Sequence, residues 1–405
     1  MTLLAPHSPT TGRPLRADGP HALTDGVERW PVVAGIPYLR TGRDDLRREA
    51  LAALDAGDDR AALTLLLADQ DPFAPLPPPS LEECRRLIGE VNAGRCGLRQ
   101  AMSRLHFGPV ADYFALRPSA PTFLSGLGLL SQCGGSLPVL ELACGIGQLL
   151  REPSRRRIPV AGVDLVFSKL WLARRFVVAD AQLICGDACG GPLAVPTTAA
   201  AVLCHDAFYF FADKPAAAAA LLRMAGPGGR VLVGHAHNAN WNHGVAGSLL
   251  TPQGYADQFP GCVMFDDAAL TAAHLTGTPA ESHHPAALDG VEAVSLAWHG
   301  RADLRPGPPD QYAVPVEGTE LVMNSLLEAV QGLLRPKWPT ARFAEEYRAA
   351  DYLSDEPVPA ADVLHAAASG LAGTAAAGGC VRAELLHEAR RLARRRILLP
   401  REDVI

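Results

Sequence analysis

Between residues 137 and 235 short apolar runs alternate with amphipathic stretches, and this alternation restricts the fold more than any other feature of the chain. Residues 137–142, 158–164, 181–185, 199–205 and 230–235 are dominated by Val, Ile, Leu, Ala and Cys, so each predicts a strand buried on both faces. Helical patterns fall between them near 146–153, 168–179 and 213–225. Strands joined by helices pair in parallel, because the crossover returns the chain to the same end of the sheet. Residues 290–298 predict another strand, and 320–324 one more. The expected core is therefore α/β: a doubly wound, mainly parallel seven-stranded sheet with helices on both faces. A polar, Gly- and Asn-rich excursion is expected over about 238–287.

The flanks differ in texture. Residues 1–40 are rich in Pro, Gly and Thr, and Trp30–Leu39 reads as a short strand and turn broken at Gly35 and Pro37. Leucine and alanine over 43–70 predict two short helices around Gly57. A Pro-rich joint at 72–80 ends in Ser80, a predicted N-cap, and 81–132 reads as helical. Residues 325–355 are expected to be helical, 359–380 are low in complexity, and 383–396 form a basic helix. These textures divide the chain into a small module (1–40), a helical region (41–132), the α/β domain (133–325) and a helical C-terminal extension (326–405).

Composition removes several classes of function. The formal charge is −6, whereas a general polyanion binder is usually basic, so nucleic acid is not the expected partner. No apolar run approaches the roughly 20 residues of a membrane helix, and the start lacks the basic region of a secretory signal. Nine scattered cysteines, an odd number, suit reduced thiols in a cytoplasm.

Val139-Leu-Glu-Leu-Ala-Cys-Gly-Ile-Gly-Gln148 follows an apolar strand and opens a helix, so Gly145 and Gly147 let the backbone turn sharply where free N–H groups meet a ligand. A dinucleotide fingerprint would place a third glycine where Leu150 stands, which opposes a nicotinamide dehydrogenase. Asp164 ends the next strand 19 residues after Gly145, close to the roughly 20 expected of a ribose-binding acid. Asp187 follows the third strand, and Gly226-Pro-Gly-Gly229 precedes the fifth. Together these motifs, over roughly 115–300, resemble the class I S-adenosylmethionine-dependent methyltransferases. The resemblance implies S-adenosyl-L-methionine as cofactor, with Glu141 near its amino end and Ala143, Gly145 and Gly147 along its methionine and ribose. It also implies Asp164 on the ribose hydroxyls, Leu165 on the adenine, Asp187 and Ala188 on the adenine edge, and Cys204, His205 and Asp206 beneath the methyl group.

His235, His237, Asn238, Asn240, Asn242 and His243 cluster just beyond the fifth strand, and ligands of open α/β sheets bind beyond the carboxyl ends of strands. Because histidine titrates near neutrality, His205, His235 and His237 are the expected bases or acceptor-orienting groups, with Tyr209 facing the acceptor. No metal is expected there. The segment from His7 to Leu15 resembles the small zinc ribbon that accompanies some methyltransferases, but Ser8 and Thr10 stand where thiolates would be needed, so no zinc is expected. The expected activity is methyl transfer to a small molecule, a secondary metabolite or sugar derivative. An RNA methyltransferase and a non-catalytic partner-binding protein on the same fold are the alternatives.

Overall fold

The computed structural model of the chain describes residues 2–70, 74, 76–190, 193–241, 247–299, 311–313, 315–370 and 379–404. Its centre is a seven-stranded sheet of β1 (Val139–Leu142), β2 (Val160–Asp164), β3 (Gln182–Cys185), β4 (Ala201–His205), β5 (Arg230–His237), β6 (Val263–Asp266) and β7 (Ala293–His299). The spatial order is β3-β2-β1-β4-β5-β7-β6. The pairs from β3 through β5 are parallel, and β7 runs antiparallel to both its neighbours. Every residue of β1, β2 and β4 is buried, which is why these strands read as continuous apolar runs.

The chain steps outward from β1 to β3, then returns to lay β4 on the other side of β1. At that reversal the connections leave in opposite directions and open a crevice at the carboxyl ends. The elements around it are α1 (Pro109–Leu116), α2 (Pro121–Leu129), α3 (Gln148–Arg155), α4 (Phe167–Leu172), α5 (Lys214–Ala225), α6 (Asp267–Thr276) and α7 (Ala341–Glu346). Helices α2 and α6 pack closely because Gly128 has no side chain; a Cβ there would lie 2.8 Å from the Leu270 carbonyl oxygen.

Ahead of the sheet, Arg16–Ala17, Ala22–Thr24, Arg29–Val33 and Ile36–Pro37 form an antiparallel meander, with helices at Asp44–Asp55 and Asp59–Leu67. Ser80 caps the helix Leu81–Asn92 in a reciprocal capping box with Glu83.

Two expectations are corrected. The sheet's last strand is not 320–324: Leu321–Met323 pairs with Leu398–Pro400 in a separate ladder, while β6, inside the polar excursion, completes the sheet. Residues 325–355 are not helical throughout. Leu327–Val330 and Leu333–Pro336 form a hairpin, and helix is limited to α7 and the short turn Asp351–Leu353. Gln331 and Gly332 both take positive φ (52° and 83°), the conformation a two-residue hairpin turn with the right twist requires.

One glycine fixes the centre of the molecule. A Cβ on Gly234 would stand 2.2 Å from His205 Nδ1, and His205 is held in place by donating from Nε2 to the Thr122 carbonyl (2.6 Å). Gly234→Ala is expected to lower stability by about 2–3 kcal/mol through this overlap. Gly290→Ala, in open space, should stay within about 0.5 kcal/mol. Denaturant titration of both variants measures the difference.

Candidate active site

A cavity of about 2050 Å³ lies at the carboxyl ends of β1 to β5. One half is built by the loop after β1. Ala143 and Gly145 both hold positive φ (57° and 55°), which folds the loop under the cavity floor. Asp164 at the end of β2 fastens it: Oδ2 accepts from Gly145 N (2.8 Å) and Oδ1 from Val166 N (2.9 Å). A Cβ on Gly145 would come within 3.2 Å of the Phe114 ring, so at this positive φ any larger residue is strained and pushes that ring aside. Leu165, Asp187 and Ala188 continue the same wall. Asp187 Oδ1 accepts from Cys189 N at 2.9 Å, which shapes that turn.

Glu141 lies beneath the loop, 3% exposed, and its Oε2 has no hydrogen-bond partner. Burial drives its carboxyl up to about 8; Arg117 opposes that shift and Asp164 adds to it. A buried carboxylate oxygen facing a cavity in this way calls for a cationic or N–H ligand. In the folded protein this group lowers stability progressively as pH rises from its ordinary value of 4.5 to about 8. Glu141→Gln removes the charge. At pH 8 the ligand-free variant should therefore be more stable by about 4 kcal/mol, and the gain should vanish near pH 4.5. Thermal melts across that range test the sign.

The other half of the cavity lies beyond β4 and β5. Asp206, at φ 54°, accepts from the Tyr113 hydroxyl at Oδ2 (2.6 Å) and from the Tyr209 hydroxyl at Oδ1 (2.7 Å), with Arg117 Nη1 at 3.4 Å from Oδ2. Burial works against its charge, but His235, Arg117 and His205 outweigh burial and keep the carboxyl below its ordinary value. His235, at φ 50°, donates from Nδ1 to Asp267 Oδ2 (2.8 Å). Ser295 Oγ donates to Asp267 Oδ1 (2.7 Å) and accepts from the His235 backbone N–H (3.1 Å). The His237 ring stands 4.7 Å, centroid to centroid, from both His235 and Tyr209.

Neither His205 nor His235 keeps an ordinary imidazole midpoint. Burial, reinforced by Arg117, pushes His205 down to about 4. Burial also disfavours charge on His235, yet Asp267 overrides it and raises the ring to about 9. At neutral pH His205 is therefore neutral and His235 is an imidazolium. His205 spends Nε2 on the Thr122 carbonyl and packs against Gly126 and Gly234, the contacts of a positioning group rather than of a base. Burial and the neighbouring Asp206 push the Tyr209 phenol up, so it donates rather than ionises.

Glu141, Ala143, Gly145, Asp164, Leu165, Asp187, Ala188, His205, Asp206, Tyr209, His235 and His237 thus meet on one cavity. Gly147 does not line it. Its missing Cβ would meet Val178 Cγ1 at 2.9 Å, so this glycine admits the turn after α4 instead. Cys204 is sealed inside the sheet. Asn238 is a structural residue, donating to the Asp289 and Val291 carbonyls. Asn242 and His243 lie outside the described residues. Arg155 and Arg156 pair with Glu152, and Arg391 and Arg395 with Glu356, so these basic runs are largely internal ion pairs.

Sequence reasoning did not find Tyr113, Arg117, Asp267, Ser295 or the wall from α7, where Arg342, Glu346 and Tyr347 face the cavity. The signal for Asp267 was local and readable: Asp266 caps α6 through Ala268 N, which places the next acid at a helix start beside the strand ends.

Residues 140–233, under a quarter of the chain, match the family model of a methyltransferase domain. Among solved structures the chain is similar to an amino pentose methyltransferase from Micromonospora echinaspora involved in calicheamicin biosynthesis. Identity is 29% over 24% of this chain and 42% of that one, with a TM-score of 0.22. It is also similar to a TehB-like SAM-dependent methyltransferase from Corynebacterium glutamicum, at 17% identity over 44% of this chain and 88% of that one, TM-score 0.33. A phosphoethanolamine N-methyltransferase from Haemonchus contortus matches at 19% identity over 40% of each chain, TM-score 0.25. The match thus spans less than half the length of the Micromonospora enzyme. No curated protein matches the chain.

Proposed function

Because the chain carries a class I S-adenosylmethionine-dependent methyltransferase domain, with S-adenosyl-L-methionine as its cofactor, we propose that it methylates an oxygen, nitrogen or carbon of a small molecule. The observation that carries this assignment is the single cavity shared by Glu141, Gly145, Asp164 and Asp187 on one side and Asp206, Tyr209, His235 and His237 on the other. When bound, the cofactor supplies an electrophilic methyl group on a sulfonium.

The residues present fit that compound. Glu141 Oε2, buried and without a partner, suits its ammonium group, and the carboxylate of Asp164, at the end of β2 on the cavity wall, is assigned to the ribose hydroxyls. Leu165, Asp187 and Ala188 would flank the adenine. Beyond β4 and β5, His235 donates from Nε2–H to the acceptor, while Asp267 and Ser295 hold its ring from behind. His237 is assigned to accept the acceptor's proton at a ring nitrogen. The α7 wall and the tyrosines exclude water, and most of the catalytic advantage comes from alignment. Acidic groups crowd the walls, which favours a small neutral or cationic acceptor over an RNA.

The α/β domain is assigned to residues 133–325, with 1–40, 41–132 and 326–405 as flanking units. Among the described residues no helix is long and apolar enough to cross a membrane, and the eight cysteines whose side chains are described carry free thiols. The cytoplasm is the proposed location.

Incubation with methyl-labelled cofactor and a panel of amino sugars, polyols and aromatic alcohols tests the proposal. Labelled product from at least one small acceptor, and none from RNA, is the expected result. Labelling of RNA alone contradicts it.

A further inference from the structure

We propose that Asp206, His235 and His237 form a binding site for one divalent first-row transition cation at the acceptor end of the cavity. The ligand atoms that these three side chains offer all lie within 4.8 Å of one another. Around an ion with bonds of about 2.1 Å, neighbouring ligand atoms stand roughly 3 Å apart, so small side-chain rotations bring the three into place.

The fold produces this grouping. Strands β4 and β5 pair in parallel with His205 opposite Gly234, which sets Asp206 and His235 side by side where β4 ends. The pairing of β5 with β7 is irregular between Val233 and Ala236, and bulges of this kind re-aim side chains beside active sites. Asp206 and His235 both hold positive φ without being glycine, and backbone strain of this sort concentrates where function requires it. His237 follows two residues on, its ring 4.7 Å from that of His235.

The groups behind the three ligands are those a metal site uses. His235 Nδ1 is tied to Asp267, which is itself held by Ser295 Oγ, leaving Nε2 as the nitrogen a ligand can reach. A carboxylate that fixes a histidine in this way orients the ring and raises its strength as a ligand. The Tyr113 and Tyr209 hydroxyls each use one lone pair of an Asp206 oxygen and leave the other for an ion. Arg117, at the long distance of 3.4 Å, is the contact that gives way. With the ion bound, His235 Nε2 and a His237 ring nitrogen are ligands, so the donor and base roles of these rings belong to the metal-free chain.

Two imidazoles and one carboxylate select against Mg²⁺ and Ca²⁺, which prefer oxygen shells, and favour the series from Mn²⁺ to Zn²⁺. Three protein ligands leave coordination positions toward the 2050 Å³ cavity, where water or acceptor oxygens complete the shell.

The full chain, stripped with a chelator and dialysed, is titrated with Co²⁺ in the absence of cofactor and followed by visible absorption, with Zn²⁺ calorimetry in parallel. One equivalent of Co²⁺ with ligand-field bands is expected. Affinity should fall at least tenfold in His237→Gln and in Asp206→Asn, and about tenfold in Asp267→Asn, which leaves all three ligands in place. The absence of stoichiometric binding to the wild-type chain at millimolar Co²⁺ and Zn²⁺ overturns the proposal. So does binding that persists unchanged in both ligand variants, whose folding is checked by circular dichroism. Cofactor plays no part in this titration, so its failure is separate from failure of the methyl-transfer assignment.

Discussion

His235→Gln is expected to slow methyl transfer by about 10²–10⁴-fold while cofactor affinity stays within about threefold. The imidazole is anchored from behind by Asp267 and Ser295, so its free nitrogen faces the cavity in a fixed direction. Glutamine keeps a donor but loses the charge and the rigid ring, and charge-assisted hydrogen bonds are roughly twice as strong as neutral ones. Asp267→Asn separates positioning from contact: it leaves His235 in place but removes the carboxylate that holds the ring. Its expected signature is a fall in kcat of about tenfold to a hundredfold with little change in cofactor Kd, since Asp267 lies at the acceptor end. Equal losses in kcat and in cofactor binding would instead mark both residues as structural. His205→Gln provides the contrast. Its ring sits between Gly126 and Gly234, so loss there should appear mainly in stability.

Asp164→Asn is expected to weaken cofactor binding by about 1.5–3 kcal/mol, tenfold or more. The carboxylate already closes the β1 loop by accepting from Gly145 and Val166. An amide keeps one oxygen and turns an N–H₂ toward the other backbone donor, so the variant loses a loop contact as well as the proposed ribose contact. Comparing the cofactor with free adenine distinguishes the two. If only the loop is disturbed, both ligands weaken together. If Asp164 also binds the ribose, the cofactor weakens at least tenfold more than adenine does. Equilibrium titration of both ligands against the variant gives the answer.

The strands β1 to β5 and the glycine turn after β1 were readable from the sequence because each is a buried apolar run ending in a residue with a distinct backbone or charge requirement. The edge strand β6 was not. It has four residues, two of them only partly buried, and among the described strands β7 is its one neighbour, so its apolar signal is short and interrupted. The hairpin at 327–336 was hidden by exposure: Glu328, Ala329 and Val330 face solvent and carry no burial pattern. At the site, residues at strand ends were found because strand ends are predictable places. Tyr113, Arg117 and Glu346 were not, since they reach the cavity from segments far away in sequence, and only tertiary packing sets that convergence. His205, His235 and His237 line the cavity, but the midpoints of His205 and His235 depart from the ordinary imidazole value in opposite directions. Those two midpoints depend on burial and on Arg117 and Asp267, which come from separate elements.

The central claim is that the loop and acids at the ends of β1 to β3 bind S-adenosyl-L-methionine, and calorimetric titration of the full chain with its demethylated product tests it most directly. One-to-one binding at micromolar strength is predicted. At pH 7 it should release part of a proton as Glu141, raised to about 8 by burial, ionises against the incoming ammonium. Glu141→Gln should bind at least tenfold more weakly with that release abolished. No binding to the wild-type chain at millimolar ligand, or binding unchanged in the Gln variant, would contradict the account.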